Sequence, residues 1–444
     1  MKQLMLFLCI LLVSSLNEVS GQDTTAAKSP GKVKTGWNLG ALPVIAYNTD
    51  IGFKYGGLVN FYNYGDGSRY PKYDHSIYME LSRTTKGGGI NMLQLDSRRL
   101  IPNVRTLAEA ALLTEKGLDF FGYNGYKALY NPAYEDPSSS LYISRMFYNM
   151  ERKMYKFKAE FYGDICKTKF KWFGGMEFFG IHTNTVDINT LNKGQSAGSM
   201  LPDTALLYDR YVQWGVIPQN EQFGGNTTIL KTGIIYDTRD NEANPMKGMW
   251  TEALLLYAPS FLSTGSTYLR YALTHRQYFT LVPDRLSFVY RMSYQGKLAG
   301  TMPFYMLPFT FNTAPNYTRD GLGGNQTMRG IIRNRVVGQD FFYTNIETRW
   351  KFYRGVIFNQ NIYLALSAFI DAGMTTRPYK TDLSGVPAEY LSWFDQGQET
   401  LHTSAGGGFR VVMNENFIVA VDMGKALDRR DGVKGLYIFL SWLF

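Results

Sequence analysis

The feature that most restricts the fold of this chain is an alternation of apolar and polar side chains with a period of two residues. Residues 285–297, RLSFVYRMSYQGK, and 154–162, MYKFKAEFY, both show it. One face of the second segment is apolar and aromatic, and the other carries Lys156, Lys158 and Glu160. Successive side chains of a β-strand point to opposite faces, so each segment predicts a strand between an apolar and a polar environment. Strands of soluble sandwiches average about five or six residues, whereas these are long enough for the roughly 9–11 tilted residues that cross a bilayer.

The N-terminal segment predicts export. It begins with an early lysine, continues with an apolar core at 4–13 and ends in small residues, with Val19 and Gly21 before a plausible cleavage site. This is the pattern of a signal peptide, and an apolar core of about 10 residues is too short to span a membrane as a helix. We therefore predict Sec-dependent export, removal of 1–21, and a short periplasmic leader at 22–35.

Composition favours an outer-membrane β-barrel. The chain has 444 residues, of which 15% are aromatic, with 32 Tyr, 29 Phe and 44 Gly. No window of about 18 apolar residues follows the predicted signal peptide, so no spanning helix is predicted. One of the two cysteines lies in the signal peptide, so no internal disulfide is expected for Cys166. Abundant Tyr and Gly in an exported chain are typical of an outer-membrane barrel, although composition alone also allows a large secreted β-sandwich or propeller.

Sixteen segments are predicted as strands. They are 37–48, 50–63, 74–86, 89–101, 103–120, 143–163, 168–184, 227–236, 248–258, 267–281, 285–298, 340–353, 359–374, 401–413, 416–426 and 433–444. With the C-terminus at the periplasmic rim, the long connections all fall at the extracellular end, at 121–142, 185–226, 299–339 and 375–400. Short turns such as 282–285 and 413–416 fall at the other end. An even count is typical of closed barrels, so we predict one 16-stranded antiparallel transmembrane β-barrel over 36–444.

The connection 299–339 contains GGNQTMRGIIRN, an Arg-Gly pair among apolar residues. In the strands that follow it, Glu347 and Asp371 have the opposite parity to the apolar outward face, so both are expected to face the lumen. Two carboxylates on one inner wall disfavour joint ionisation unless a cation lies between them. Arg329 could fork between them. The alternative is that Arg329 is a solvated loop residue and that the two acids line a wet pore.

Further motifs accompany the Arg-Gly loop. They are YDTRDNEANPMKG at 236–248, NIETRWKF at 345–352 and AFIDAGM at 368–374. In this order and spacing, the motifs resemble those of the BamA/TamA-type bacterial surface antigen family, whose barrels assemble or translocate proteins at the outer membrane. The similarity covers essentially all of 36–444 and is strongest from Thr228 onward.

The resemblance implies a place for each motif. It implies that the long extracellular loop folds back into the lumen and that Arg329 and Gly330 dock on the barrel wall beside Glu347 and Asp371. It also implies a periplasmic hairpin built on Asp237, Arg239, Asp240, Pro245 and Gly248. Two features depart from the family: no periplasmic POTRA domains are predicted, and Ile331 stands where an aromatic residue is usual.

The first strand predicts a weak closing seam. Pro43 has no N–H to donate to a ladder, and Gly40 lies on the same segment. Pairing between 37–48 and 433–444 is therefore expected to be the least stable in the barrel. The resemblance implies that this lateral seam opens to pass strands into the membrane. The alternative is that Pro43 lies below the bilayer, where water replaces the missing bond.

The last segment, KGLYIFLSWLF, alternates to its end. The alternation puts one apolar set on a single face, which we expect to point outward with its aromatic members in an interfacial girdle: Leu436, Ile438, Leu440, Trp442 and Phe444. The last three of these residues resemble the terminal aromatic signal by which assembly machinery recognises barrel precursors for insertion.

Other chemistry is not indicated. The four histidines, at 75, 182, 275 and 402, have no ligand spacing, so we expect no metal and no cofactor. No Ser/His/acid arrangement predicts an enzyme, and nothing predicts nucleic-acid binding. The expected function is assistance to proteins, or lipids, that enter or cross the outer membrane of a Gram-negative bacterium. The expected partners are the lipid bilayer, a separate periplasmic or lipoprotein partner, and an outer-membrane or secreted protein as substrate. A passive transport pore and a structural subunit of a surface complex are the alternatives.

Overall fold

The computed structural model describes residues 33–444 apart from 71, 243, 265, 314–315, 318–320, 358–359, 414–416 and 441. The predicted signal peptide 1–21 lies outside the described residues, as does the predicted leader up to residue 32.

Sixteen long strands close into an antiparallel barrel. The first eleven are β1 Trp37–Asn48, β2 Gly52–Asn63, β3 His75–Thr84, β4 Gly89–Ile101, β5 Val104–Asp119, β6 Asn149–Asp164, β7 Phe170–Asn184, β8 Gly225–Asp237, β9 Gly248–Ala258, β10 Tyr268–Val282 and β11 Leu286–Gly300. The other five are β14 Asp340–Ile357, β15 Gln360–Arg377, β16 His402–Met413, β17 Phe417–Ala426 and β18 Lys434–Leu440. Each pairs with its chain neighbour, and β1 meets β18. The prediction of a 16-stranded antiparallel barrel is confirmed.

The connections hold the remaining elements. Between β11 and β14 lies a separate two-stranded ribbon, β12 Asn312–Thr313 and β13 Asn316–Tyr317. Short helices and 3₁₀ turns occupy Gly125–Lys127, Pro132–Tyr134, Ile188–Asn192, Ala197–Ser199, Leu207–Gln213, Ser260–Leu262, Phe304–Met306, Ala388–Phe394 and Arg429–Asp431. In the part of the chain that the structure describes, no helix is both long and apolar enough to cross a membrane.

The two faces of the wall follow the sequence alternation. Along β11, the side chains of Ser287, Arg291 and Ser293 are buried inside the barrel, whereas Met292 and Tyr294 are exposed on the outside. The same outward set continues around the barrel and includes Leu81, Leu93, Phe157, Ile234, Leu255, Leu273, Trp350, Leu366 and Ile370. A belt of exposed aliphatic and aromatic side chains is what a lipid environment requires of an outer surface.

The polar face of β6 points into the barrel and is paired there. Lys156 Nζ lies 2.6 Å from Glu109 Oε1 on β5, and Lys158 Nζ lies 3.3 Å from Glu109 Oε2. Glu160 receives Lys231 of β8 at 2.8 Å. Because these side chains are buried, opposite charges at short distance offset the loss of hydration that the wall residues suffer inside the barrel.

The long connections meet at one end of the barrel, which we call the long-loop rim; the opposite end is the short-turn rim. Backbone bonds link them: Leu129 donates to Trp393 at 2.9 Å, and Asn124 donates to Val337 at 2.6 Å. An aromatic cluster fills the space between the connections and contains Phe120, Phe121, Tyr123, Phe147, Tyr148, Tyr208, Tyr211, Phe304 and Trp393. This cluster closes the long-loop rim with a hydrophobic core.

The end of the chain departs from the prediction. The strand β18 ends at Leu440, whose side chain is 54% exposed on the outside as expected. Trp442 and Phe444 are instead only 4% and 6% exposed and contact side chains of the inner wall. Their predicted outward placement in a girdle is therefore wrong. Three buried guanidinium groups inside the barrel offer these rings partners that the lipid side lacks.

Candidate functional site

The described residues of the connection 301–339 between β11 and β14 run through the barrel interior, and we call this connection the lumen loop. It folds on itself through two isolated bridges, Leu322 with Val336 and Gly324 with Met328. Arg329 follows directly and has no exposed surface. A buried arginine in a loop requires charged or polar partners, because an unpaired buried charge is strongly unfavourable.

Arg329 has three carboxylates around it. Its Nε and Nη2 donate to the two oxygens of Asp371 at 2.9 and 3.0 Å, and its backbone N–H donates to the same carboxylate at 2.9 Å. Its Nη1 donates to Glu347 at 3.0 Å and to Asp422 at 2.9 Å. The guanidinium also stacks on Phe369, with its carbon 3.4 Å from the ring centre. A planar five-donor group fits such a set, whereas a lysine would not.

Two further arginines complete the charge set. Arg349 Nε donates to the second oxygen of Glu347 at 3.0 Å. Arg410 donates to both oxygens of Asp422, at 3.0 Å from its Nη2. With Arg329 these make three guanidinium groups against three carboxylates, all buried. The set is therefore balanced in charge, and β14, β15, β16 and β17 each contribute at least one member.

Gly330 fixes the approach of the loop to the wall. Its φ of 96° lies in a region that side chains rarely adopt, and a Cβ there would lie 2.5 Å from the carbonyl carbon of Gly424. A Cβ on Gly424 would in turn collide with the carbonyl of Arg329. The N–H of Gly330 donates to the hydroxyl of Tyr437 at 3.0 Å. Two glycines face to face therefore bring the loop backbone against β17, beside the last strand.

Sequence reasoning missed half of this set. Asp422, Arg349 and Arg410 were not singled out, nor was Tyr437. A signal existed for Asp422, which is the one acid in the apolar strand FIVAVDMGKA and has the opposite parity to the exposed Met423. Parity shows that a side chain faces the lumen, but it does not show which residues from distant strands meet there.

The turn between β8 and β9 forms a strap across the short-turn rim. Within it, Arg239 pairs with Asp237 at 3.0 Å and lies over Trp250 at 4.4 Å. Asp240 accepts from the N–H of Met246 at 3.0 Å. Pro245 is buried. Gly248, with a φ of 96°, leaves no room for a Cβ beside the carbonyl of Thr238. The five motif residues thus shape the turn itself.

The strap also reaches strands that are not its neighbours. Glu242 pairs with Arg105 of β5 at 2.9 Å and with Arg98 of β4 at 3.3 Å. Asn244 donates to the hydroxyl of Tyr363 on β15. These contacts lie on both sides of β8 and β9 in the strand order, so the described residues of 238–247 cross the mouth of the barrel at the short-turn rim and narrow it.

The seam between β1 and β18 is short. Register pairs join Tyr47 to Ile438 and Asn48 to Tyr437, and Thr49 exchanges bonds with Leu436 beside them. Over the rest of β1, including Gly40 and Pro43, no register pair with β18 exists among the described residues, although β1 pairs with β2 along its whole length. Among the residues that the structure describes, β1 and β18 are therefore paired at the long-loop end of the seam only.

Over the described ranges, no group of three or more His, Cys, Asp or Glu side chains is arranged to hold a metal ion. His402 instead lies between Asp431 and Glu399 at the long-loop rim, with its ring stacked on Tyr126.

Comparison with known proteins identifies a family and similar barrel structures. A family model for the Omp85 superfamily domain matches residues 121–437. The structure of BamA from Haemophilus ducreyi lacking POTRA domains 1-3 matches with a TM-score of 0.52 and 12% identity, over 98% of this chain and 78% of that one. CdiB from Escherichia coli matches with a TM-score of 0.54 and 9% identity, over 96% and 68%. No curated protein matches the sequence. At these sequence identities, the similarity to the two structures supports the fold alone.

Proposed function

The chain belongs to the Omp85 superfamily, and from this premise we propose that it assists proteins to insert into, or to cross, the outer membrane of a Gram-negative bacterium. The outward belt of apolar side chains supports a place in the bilayer. The proposed role is not enzymatic. The same barrel could also assist lipids to enter or cross the outer membrane. A separate periplasmic or lipoprotein partner delivers the client, which is an outer-membrane or secreted protein.

The observation that carries this proposal is the short seam. An open strand edge in hydrocarbon leaves backbone N–H and C=O groups without partners, which is strongly unfavourable. Residues 37–46 of β1 nevertheless have no register pair with β18 among the described residues. An extended client segment could satisfy these groups by adding to the edge, as in other cases of β-augmentation. Pro43 and Gly40 lie on this part of β1 and weaken a permanent ladder there.

The buried lumen loop weighs against the alternative of a passive transport pore. Arg329 and its partners have no exposed surface, the aromatic cluster closes the long-loop rim, and the strap crosses the short-turn rim. An open conduit would need these three obstacles to leave together. No specific observation favours a purely structural subunit of a surface complex.

Cross-linking tests the seam directly. We start from Cys166→Ser, because Cys166 is exposed and free. Tyr47→Cys with Ile438→Cys bridges a register pair of the seam, and Leu366→Cys with Phe409→Cys bridges a matched outward pair of β15 and β16. Both variants are reconstituted into liposomes, and insertion of a small β-barrel client is measured before and after reduction.

If the seam passes client strands, the seam bridge abolishes insertion, reduction restores it, and the control bridge has no effect. Equal activity of the two oxidised variants would show that the seam stays closed during the reaction, and a passive transport pore or a structural subunit of a surface complex would then be preferred.

A further inference from the structure

The residues 442–444, which we call the tail, lie among three arginines in the half of the lumen nearer the short-turn rim. Arg349 and Arg410 lie over the Trp442 ring at 4.2 and 4.6 Å. Arg291 and Arg349 lie over the Phe444 ring at 5.1 and 5.2 Å. We call Arg291, Arg349 and Arg410 the arginine cage. Guanidinium groups over aromatic faces are attractive, and more so where both are desolvated.

Apolar side chains line each of the two ring sites of the cage. Trp442 packs with Tyr363, Ala365, Val412 and Ile418. Leu443 and Phe444 pack with Tyr278 and Val289. The cage is thus a pocket for two aromatic side chains spaced two residues apart. Tyr363 also accepts a hydrogen bond from Asn244 of the strap, so the Trp442 site lies next to the strap.

The tail does not use all the donors of the pocket. Arg349 Nη2 donates to the main-chain oxygen of Phe444 at 3.0 Å. Arg349 Nη1, Arg410 Nε and the hydroxyl of Tyr278 have no hydrogen-bond partner among the described residues, although all are buried. Buried donors without acceptors are unfavourable, so this pocket would hold a ligand that brings more oxygen atoms better than it holds the tail.

We propose that the arginine cage is a binding site for an aromatic peptide segment, that the tail is its resident occupant, and that a client segment takes the site by exchange. The proposal rests on the proposed function, which supplies peptide clients. Two aromatic residues at positions i and i+2 and nearby carboxylate or carbonyl oxygens are the chemistry that the cage recognises.

Exchange of the occupant of the cage also affects how the lumen loop is held. Arg349 bonds Glu347 and Arg410 bonds Asp422, and both acids bond Arg329. An occupant that draws Arg349 or Arg410 toward itself weakens the hydrogen bonds of these arginines to Glu347 and Asp422, which fix the lumen loop through Arg329. Release of the tail also frees residues beyond Leu440 to extend β18 along the unpaired edge of β1.

Peptide binding tests the proposal without any assay of client insertion. The variant Trp442→Ala/Phe444→Ala empties the cage, and its folding is checked by heat-modifiability. The probe is the peptide Ser-Trp-Leu-Phe with a fluorescent dye at its N-terminus, and Ser-Ala-Leu-Ala is its control. Affinity is measured by fluorescence anisotropy in detergent.

We expect the aromatic peptide to bind the emptied barrel at least about tenfold more tightly than the wild type, whose tail competes for the site. Adding Arg349→Gln to the emptied barrel should weaken binding by about tenfold, which corresponds to ~1.4 kcal/mol. Arg270→Gln is the matched control, since Arg270 is a buried lumen arginine that lies over Phe311, outside the cage.

Absence of binding to a folded emptied barrel, or equal binding with and without Arg349→Gln, overturns the cage. Equal binding of the alanine peptide does the same. Failure of the seam cross-linking experiment would instead overturn the proposed function and leave the peptide result unaffected.

Discussion

At the scale of single residues, Arg329 decides whether the lumen loop is held. It satisfies three carboxylates that otherwise lie buried with fewer partners. Removing one member of a desolvated charge set leaves the others uncompensated, which costs roughly 3–5 kcal/mol. We expect Arg329→Ala to lower the melting temperature of the barrel in heat-modifiability gels and to expose the loop to protease.

The same network predicts coupling between its members. Glu347→Gln and Asp371→Asn should each loosen the lumen loop and lower the melting temperature. Combined with Arg329→Ala, each should lower it by less than it does alone, because the residues share hydrogen bonds. Arg329→Lys keeps the charge but loses the fork, so it serves as the control for geometry. Fully additive melting shifts would contradict a single network.

A second prediction concerns Glu135, in the connection between β5 and β6. Burial, helped by the negative charge of Asp119, raises the pKa of this carboxyl from an ordinary 4.5 to about 7. The folded barrel therefore holds a proton that the unfolded chain releases above about pH 4.5. The stability it contributes is complete below pH 4.5 and is lost as the pH rises through about 7.

Melting temperatures of wild type and Glu135→Gln, taken from pH 4 to 8, test this assignment. The glutamine is neutral throughout, so the difference between the two proteins should be small at pH 4 and should widen in favour of the variant toward pH 7. Parallel curves would show that Glu135 keeps its ordinary pKa in the folded barrel.

At the scale of elements, the strands differ in how well they are held. β14 and β15 pair along nearly their whole length, whereas β1 and β18 pair at two positions. Local opening follows the number of backbone bonds and packed neighbours that hold an element. We therefore expect amides of β1 and β18 to exchange hydrogen faster than those of β14 and β15 in lipid nanodiscs.

The control for exchange is β2, which is adjacent to the seam but is paired on both sides, with β1 and β3. Fast exchange in β2 as well would indicate general opening of this side of the barrel. Slow exchange in β1 would mean that the unpaired edge is protected by other means, and the role of the seam in client insertion would lose its support.

At the scale of the whole molecule, obstructions lie one above another along the barrel axis. The aromatic cluster closes the long-loop rim. His402 lies at the same rim, with its Nδ1 2.6 Å from Asp431 and its Nε2 3.3 Å from Glu399. The described part of the lumen loop lies in the middle, and the strap with the tail narrows the short-turn rim. Obstacles in series mean that removing one leaves the passage blocked by the others.

Planar-bilayer recording tests this arrangement. The wild type should conduct poorly, and Arg329→Ala alone should raise its conductance only slightly. Combining Arg329→Ala with Asn244→Ala and Glu242→Gln, which release the strap, should also raise it only modestly, because the aromatic cluster still closes the long-loop rim. A large, stable conductance of the wild type would show that the loop and strap do not obstruct the lumen.

The sequence by itself determined the wall of this barrel. Period two and segment length are local properties, and they predicted sixteen strands, the outward belt, and the inward parity of Glu347 and Asp371, both of which are buried. That Pro43 weakens the closing ladder stays a prediction, which rests on its missing backbone N–H.

Only the tertiary structure decided what meets inside the wall. Asp422 and Arg410 join Arg329 from strands that are far away in sequence, and alternation says nothing about partners across a lumen. Trp442 and Phe444 keep the outward parity of β18 in the sequence, yet they turn inward after Leu440. Their place follows from a competition between lipid and three buried guanidinium groups, and such a competition depends on positions in space that no local pattern records.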